Sequence, residues 1–206
     1  GADNPNDPVE DITITVTGTD GTKMNYNWKA GAFRCSEIKD RNGNYITVNH
    51  DEQGLLRTVT DTLGRVITVN YDSELYPTSI TQDWQLSNGE SSTTTQHTYA
   101  TFVYTGITVN PSFDSSLTIF GPTSGTAIKV LDKVIYGTSG SSNNTGETRF
   151  EYNDFGQIKK VRNMAADGHE LNYVRTNLET PGTNLTDVPR LSQIKSWAEN
   201  FNGGAE

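Results

Sequence analysis

The 206 residues carry 16 Lys and Arg against 25 Asp and Glu, a formal net charge of −9, and only 33% of them are hydrophobic. That balance argues against a nucleic-acid groove or an anionic membrane surface as partner, and no apolar run approaches the ~18–20 residues that membrane insertion of a helix needs. A charged fraction of 20%, nine Tyr, seven Phe, three Trp and 29 Thr argue against disorder and lean the chain toward strands.

Residues 1–10, with Pro5 and Pro8 behind a leading Gly1, read as a linker, with Gly1 a remnant of excision from a larger polypeptide. Residues 11–206 are expected to form a single all-β domain of antiparallel hairpins making one extended, curved sheet. Ile12, Ile14 and Val16 alternate with threonines, which at period two places them on one face of a strand. Asp20-Gly21, Asn42-Gly43, Asn88-Gly89, Asp167-Gly168 and Asn202-Gly203 predict two-residue type I′ turns. Alternating segments at 45–49, 78–84 and 92–99 flank several of them, and 137–146 and 176–188 predict long loops. Residues 188–200 admit a helix, with Pro189 behind Asp187 and with Leu191, Ile194 and Trp197 spaced three apart. They also admit a strand running into the Asn202-Gly203 turn. The strand is preferred, and it leaves 191–206 as a hairpin cut short, with an open edge from Leu191 to Asn200.

An internal repeat organises the rest. Residues 40–51 match 61–72 at an offset of 21, the match extends to 58–60 against 79–81, and eight of 21 positions are identical. Each copy supplies a turn glycine, a strand, an aromatic followed by a carboxylate or amide, a second turn and a return strand, which is one hairpin. A lone hairpin is marginal in water, so the copies must pair edge to edge. The apolar members Ile46, Val48, Ile67 and Val69 are expected on the buried face, with Thr47, Asn49, Thr68 and Asn70 opposite.

The runs Asn-Gly-Asn-Tyr-Ile-Thr-Val-Asn-His-Asp at 42–51, Leu-Gly-Arg-Val-Ile-Thr-Val-Asn-Tyr-Asp at 63–72 and Tyr-Asn-Asp-Phe-Gly-Gln-Ile at 152–158 resemble the YD repeats of the rearrangement-hot-spot (RHS) family. Clear copies cover 40–81 and 148–163, weaker ones 20–39 and 164–175, and 82–147 follow no clean repeat. His50 and Asn153 depart from the Tyr and Asp of the pattern. The resemblance implies structural roles for Gly43, Asp51, Gly64, Tyr71, Asp72, Tyr152, Asn153 and Gly156. It also implies a stretch of β-ribbon wall, in a toxin-enclosing shell or a display scaffold, within a large bacterial secreted or cell-surface protein. The partners would be the remaining repeats and the C-terminal effector of that parent. Carbohydrate binding is associated with such repeats and gives a second reading, an adhesion module.

The chemistry-bearing residues point to structure first. Asp51 and Asp72 stand where a carboxylate leaving a strand can accept turn N–H groups. Asp40–Asn44 lacks the sixth-position Gly and twelfth-position Glu of a calcium loop. His50, His97 and His169 have no metal-ligand spacing, His169-Glu170 is followed by no second His, and Cys35 has no local base. No Gly-x-Ser-x-Gly elbow or phosphate loop is present. The expectation is a protein that is no enzyme, with no cofactor and no metal. Trp28, Trp84, Tyr104 and Trp197 are the candidate sugar-stacking rings, although a chain this poor in aliphatics needs rings for its core. An adhesion module would need two or more of them exposed together on a concave face beside Asn25 or Gln96. Sequons for N-glycosylation fall at 143–145 and 184–186.

Overall fold

The structure, a computed structural model, describes residues 12–87, 92–113, 116, 118, 120–137, 145–179 and 190–198. Thirteen strands and no helix occur among them: β1 (Thr13–Thr17), β2 (Lys23–Lys29), β3 (Ala32–Lys39), β4 (Tyr45–His50), β5 (Leu56–Asp61), β6 (Val66–Tyr71), β7 (Pro77–Ser87), β8 (Ser92–Val109), β9 (Thr126–Tyr136), β10 (Gly146–Tyr152), β11 (Ile158–Met164), β12 (Glu170–Glu179) and β13 (Arg190–Ala198). They form one antiparallel sheet in sequence order, with β1 and β13 as its outermost members. The chain divides into two compact units, Gly1–Thr98 and Tyr99–Glu206, and β8 runs through the division. Residues 190–198 are strand, as preferred over the helix, while 199–206 lie outside the described residues. The stretch 82–147, where no repeat is legible, holds the two long strands β8 and β9.

The turns correct the type I′ expectation. In the 18–22, 40–44, 51–55, 61–65, 153–157 and 165–169 turns the first residue's N–H donates to the carbonyl of the fifth, and the fourth residue, a glycine, donates back to the first. These are three-residue loops with a left-handed fourth residue that starts a bulge, in which only the Gly needs positive φ. Asp20, Asn42 and Asp167 accordingly keep negative φ, while Gly21, Gly43 and Gly168 sit at 85°, 94° and 90°. The 72–76 turn has the same bonds, but its fourth residue is Leu75, held at φ 67°. The two-residue turn the sequence leaves unmarked is Ala30-Gly31, with φ 50° and 76° between the paired Lys29 and Ala32. Asn88-Gly89 and Asn202-Gly203 lie outside the described residues.

One-residue bulges recur at fixed places. In the β4–β5 pair Asn49 faces Thr58 and His50 faces Leu56, so Arg57 is skipped. The β6–β7 pair skips Thr78 in the same way, between Asn70↔Ser79 and Tyr71↔Pro77. In the second unit β10–β11 skips Lys159 and β11–β12 skips Leu171. Across these ladders Val48, Val59 and Ile67 share a rung, and Val69 pairs with Ile80. Ile46, Val48, Ile67 and Val69 thus take one side, as expected, but they are half-buried instead of sealed. The reason is that the element pairs in contact are sequence neighbours within one layer. The other side of the first unit is a mostly uncharged polar ladder: Thr13 and Thr15 hydroxyls donate to Asn27 and Asn25, Asn25 in turn donates to Glu37, Asn49 donates to Thr58, and Asn70 to Ser79 and Thr81.

The second unit has a small core. Val109 is 1% exposed, with Ala100, Ile135, Met164 and Tyr173 also buried. The chain after β8 folds onto the 153–157 turn: Asn110 N–H donates to the Asp154 carbonyl, and Phe113 meets Phe155 edge to face at 5.4 Å. Gly156, at φ 75°, lets that turn approach, since a Cβ there would meet Ile128 and Val109 at 3.1 and 3.5 Å.

Candidate functional site

The repeat carboxylates are consumed by their own turns. Asp51 Oδ1 accepts the N–H groups of Gln53 and Leu55, and Oδ2 accepts Arg57 Nε at 2.7 Å. Asp72 Oδ1 takes Glu74 and Tyr76 N–H, each at 2.9 Å, Asp61 does the same for Leu63 and Arg65, and Asn153 Oδ1 takes Phe155 and Gln157. Where the first turn residue is Gly18 or Ala165 and has no such group, the carboxylate moves two residues on. Asp20 then accepts from Thr22 N–H and Asp167 from His169 N–H. Burial would favour the neutral form of Asp51, but the Leu55 N–H and the Arg57 guanidinium outweigh it and hold its pKa below the ordinary value. The Arg65 side chain does this for Asp61, and the His169 N–H for Asp167. The loop that superficially resembles a calcium site is closed likewise, with Asp40 accepting the N–H groups of Asn42 and Asn44 and the Asn44 amide. Gly43, Gly64 and Gly156 hold the positive-φ corner of these turns.

The aromatic of the repeat is a cross-strand tie. Tyr71 Oη donates to the Leu56 carbonyl at 3.0 Å, and Tyr152 Oη to the Leu131 carbonyl at 2.7 Å. Burial, and then the charge of Asp132, raise the Tyr152 pKa. His50, at the Tyr position, makes a different arrangement, in which its carbonyl accepts Lys29 Nζ at 2.9 Å. Burial and then the charges of Arg34 and Lys29 lower the His50 pKa and favour the neutral ring.

Within each unit the two candidate stacking rings stand apart, on strands five places removed in the sheet, β2 and β7 in the first and β8 and β13 in the second. Trp28 in β2 packs edge to face on Phe33 at 5.0 Å, and Trp84 in β7 stacks on His97 at 4.2 Å. In the second unit Lys129 Nζ lies over Tyr104 at 5.4 Å, and Trp197 stacks on Tyr173 at 5.8 Å. Gln96 donates to Asp83, the sequence neighbour of Trp84 on the opposite side of β7, so it does not stand beside that ring. The hollow on that side, about 620 Å³, is lined by groups such as Thr68, Asn70, Thr81 and Asp83, with no aromatic ring.

The densest chemistry lies where sequence reasoning named nothing. Glu147 in β10 is buried and takes Lys133 Nζ at 2.9 Å on one oxygen and the Arg149 guanidinium on the other. Burial pushes its carboxyl up, but the bonds and charges of Lys133 and Arg149 prevail and hold it below its ordinary value. Arg162 Nε stands 3.1 Å from Glu151, and Arg162 and Lys160 reach Glu170 at 3.6 and 3.7 Å. Lys160 Nζ sits 3.8 Å above the Tyr173 ring. The register makes one row of Lys133, Arg149, Arg162, Tyr173 and Trp197, and beside it a second of Glu151, Lys160, Arg175 and Lys195. The signal that could have found it is Glu147, Arg149 and Glu151, opposite charges at period two in one strand. Among the described residues no group of three His, Cys, Asp or Glu converges as a metal site, and no helix is long and apolar enough to cross a membrane.

No family model matches the chain, and no curated protein sequence matches it.

Proposed function

We propose that this chain is a non-enzymatic structural module, a run of hairpin wall in a large secreted or surface-displayed bacterial protein of the RHS and YD-repeat kind. The observation that carries the reading is the turn chemistry: the repeat Asp and Asn side chains are committed to closing their own hairpins. The repeat tyrosines are likewise committed, tying one strand to another. A sheet laid down in strict sequence order can be lengthened at either end by another copy of the same unit. In this reading the partners are further repeats and a C-terminal effector of the parent. The test compares amide hydrogen exchange of β1 and β13 in this chain alone and in the full-length product of its gene. Protection gained in the longer protein supports the wall; equal exchange in both refutes it.

A further inference from the structure

We propose that the apolar side of the first unit is a homodimer interface, covered in solution by the same side of a second copy of this chain. The inference concerns the broad side of the sheet, where the wall reading concerns its two ends, and it does not rest on that reading.

Alternation along each strand sorts β1–β6 into two unlike sides. On one, Val16, Met24, Ile38 and Ile46 make a rung across four strands, and Val48, Val59 and Ile67 make another across three. At the described rung positions of this side Asp61 is the single carboxylate, it is paired with Arg65, and no Lys or Arg occurs. The opposite side carries Lys23, Lys29, Arg34, Glu37 and Lys39 in β2 and β3 alone. The apolar side is nonetheless open: Ile14 and Val16 are 40% and 44% exposed, and the elements in contact are neighbours within one layer. An apolar patch of this extent, with charge removed from its middle, has the composition of an interface core.

Charge and area select the occupant. Residues 1–98 hold 7 basic and 14 acidic side chains, a net of −7, so two copies repel each other over most of their surface. The repulsion is weakest where the charges are fewest, and a side without a charge pattern is complementary to itself about a two-fold axis. Seven strands, β1–β7, at a spacing of about 4.8 Å span about 29 Å, and about six residues of strand span about 20 Å. One copy therefore offers about 600 Å² in projection and a pair about 1,200 Å², which reaches the lower bound of a specific interface. Two such sides stack about 10 Å apart, with the Val and Ile side chains of one sheet between those of the other.

The experiment is analytical ultracentrifugation of the whole chain over a concentration series, at low and moderate salt. A dimer is expected at concentrations on the order of 10 μM and above, the affinity of a modest interface. It should tighten with salt, because salt screens the repulsion between two acidic chains. Ile14→Glu puts a carboxylate into the apolar side and should weaken the dimer about tenfold or more. Thr15→Glu, the next residue on the opposite side of the same strand, should change it by less than about twofold. Thermal melts establish that each variant is folded, and Val16→Glu takes the place of Ile14→Glu if that variant is not. A monomer at every concentration up to about 1 mM overturns the proposal. So does a dimer that weakens with salt, a dimer that the folded apolar-side variant leaves intact, or one that both substitutions weaken alike, the result of copies joined edge to edge through β1.

Discussion

The two units use one topology and hold their outward ladders together by different chemistry. In the first, cross-strand bonds are mostly between uncharged groups, with Thr15 donating to Asn25 and Asn70 to Ser79 and Thr81, and Glu37, a carboxylate among them, accepts from the neutral Asn25 amide rather than from a cation. In the second, the comparable rungs are charged, with Glu147 between Lys133 and Arg149, and Arg162 between Glu151 and Glu170. A neutral ladder loses little when one bond is cut, because water replaces the partner at an exposed site. A buried carboxylate between two cations differs: the pair is costly to bury and costlier to leave incomplete. The lesson is that one hairpin grammar tolerates either kind of rung, and the fragility lies where the charge is buried.

The contrast breaks if single changes fail to rank accordingly. Glu147→Ala should be the most damaging, at about 3 kcal/mol, because it strands two partly buried cations. Asn70→Ala should cost about 1 kcal/mol, and urea unfolding midpoints of the two variants decide the order. Acid should act through the same site. The folded pKa of Glu147 lies below its ordinary value, so the unfolded chain binds more protons as pH drops through that window. Its contribution is present above the ordinary carboxylate range and is lost as pH falls through the depressed folded value. Glu147→Gln should flatten that part of the stability profile.

Next in size is the turn residue. Asp72→Ala removes the acceptor for two N–H groups and should cost about 1–2 kcal/mol with the fold retained. An equivalent turn in the second unit is held by Asn153, which does not titrate. Lowering the pH below the ordinary Asp range should therefore speed exchange of the Gln53 and Leu55 amides, corrected for intrinsic rates, relative to Phe155 and Gln157. Equal acceleration would show that the carboxylate of Asp51 is immaterial to its turn. Tyr71→Phe and Tyr152→Phe should each cost about 1 kcal/mol, one in each unit, as the loss of a single hydroxyl bond to a carbonyl. The smallest expected change has the opposite sign. Leu75 holds a left-handed φ of 67° where its sister turns use Gly, so Leu75→Gly should raise stability by about 0.5–1 kcal/mol, read as a higher melting temperature.

Much of this was legible in the sequence. The all-β class, the hairpin periodicity and the Asx turns at Asp51 and Asp72 follow from alternation and from the 21-residue offset. The turn type was misread because Asn-Gly and Asp-Gly favour type I′ locally. These dipeptides in fact occupy the third and fourth positions of a longer loop, and what fixes that is the position of the closing pair, such as Asp40 with Asn44. Ala30-Gly31 escaped notice because Ala carries no preference for positive φ. The Glu147 network was hidden by distance. Lys133 lies fourteen residues from Glu147 and Arg162 eleven from Glu151, and only strand register makes them neighbours.

The skipped residue in each bulge has a consequence in arithmetic. Side chains in a strand change side at every step, and the repeat is 21 residues long, an odd number. Ile46 and Val48 stand at even positions, while their counterparts Ile67 and Val69 stand at odd ones. In a ladder without interruptions the two copies would therefore point in opposite directions, and a string of repeats would alternate its apolar side from copy to copy. Arg57, left out of the pairing between β4 and β5, restores parity for everything that follows until the next copy, where Thr78 does so again. Such an array can gain or lose whole copies without disturbing its neighbours. It cannot lose one residue, because removing Arg57 alone would turn the side chains of each later strand inside out.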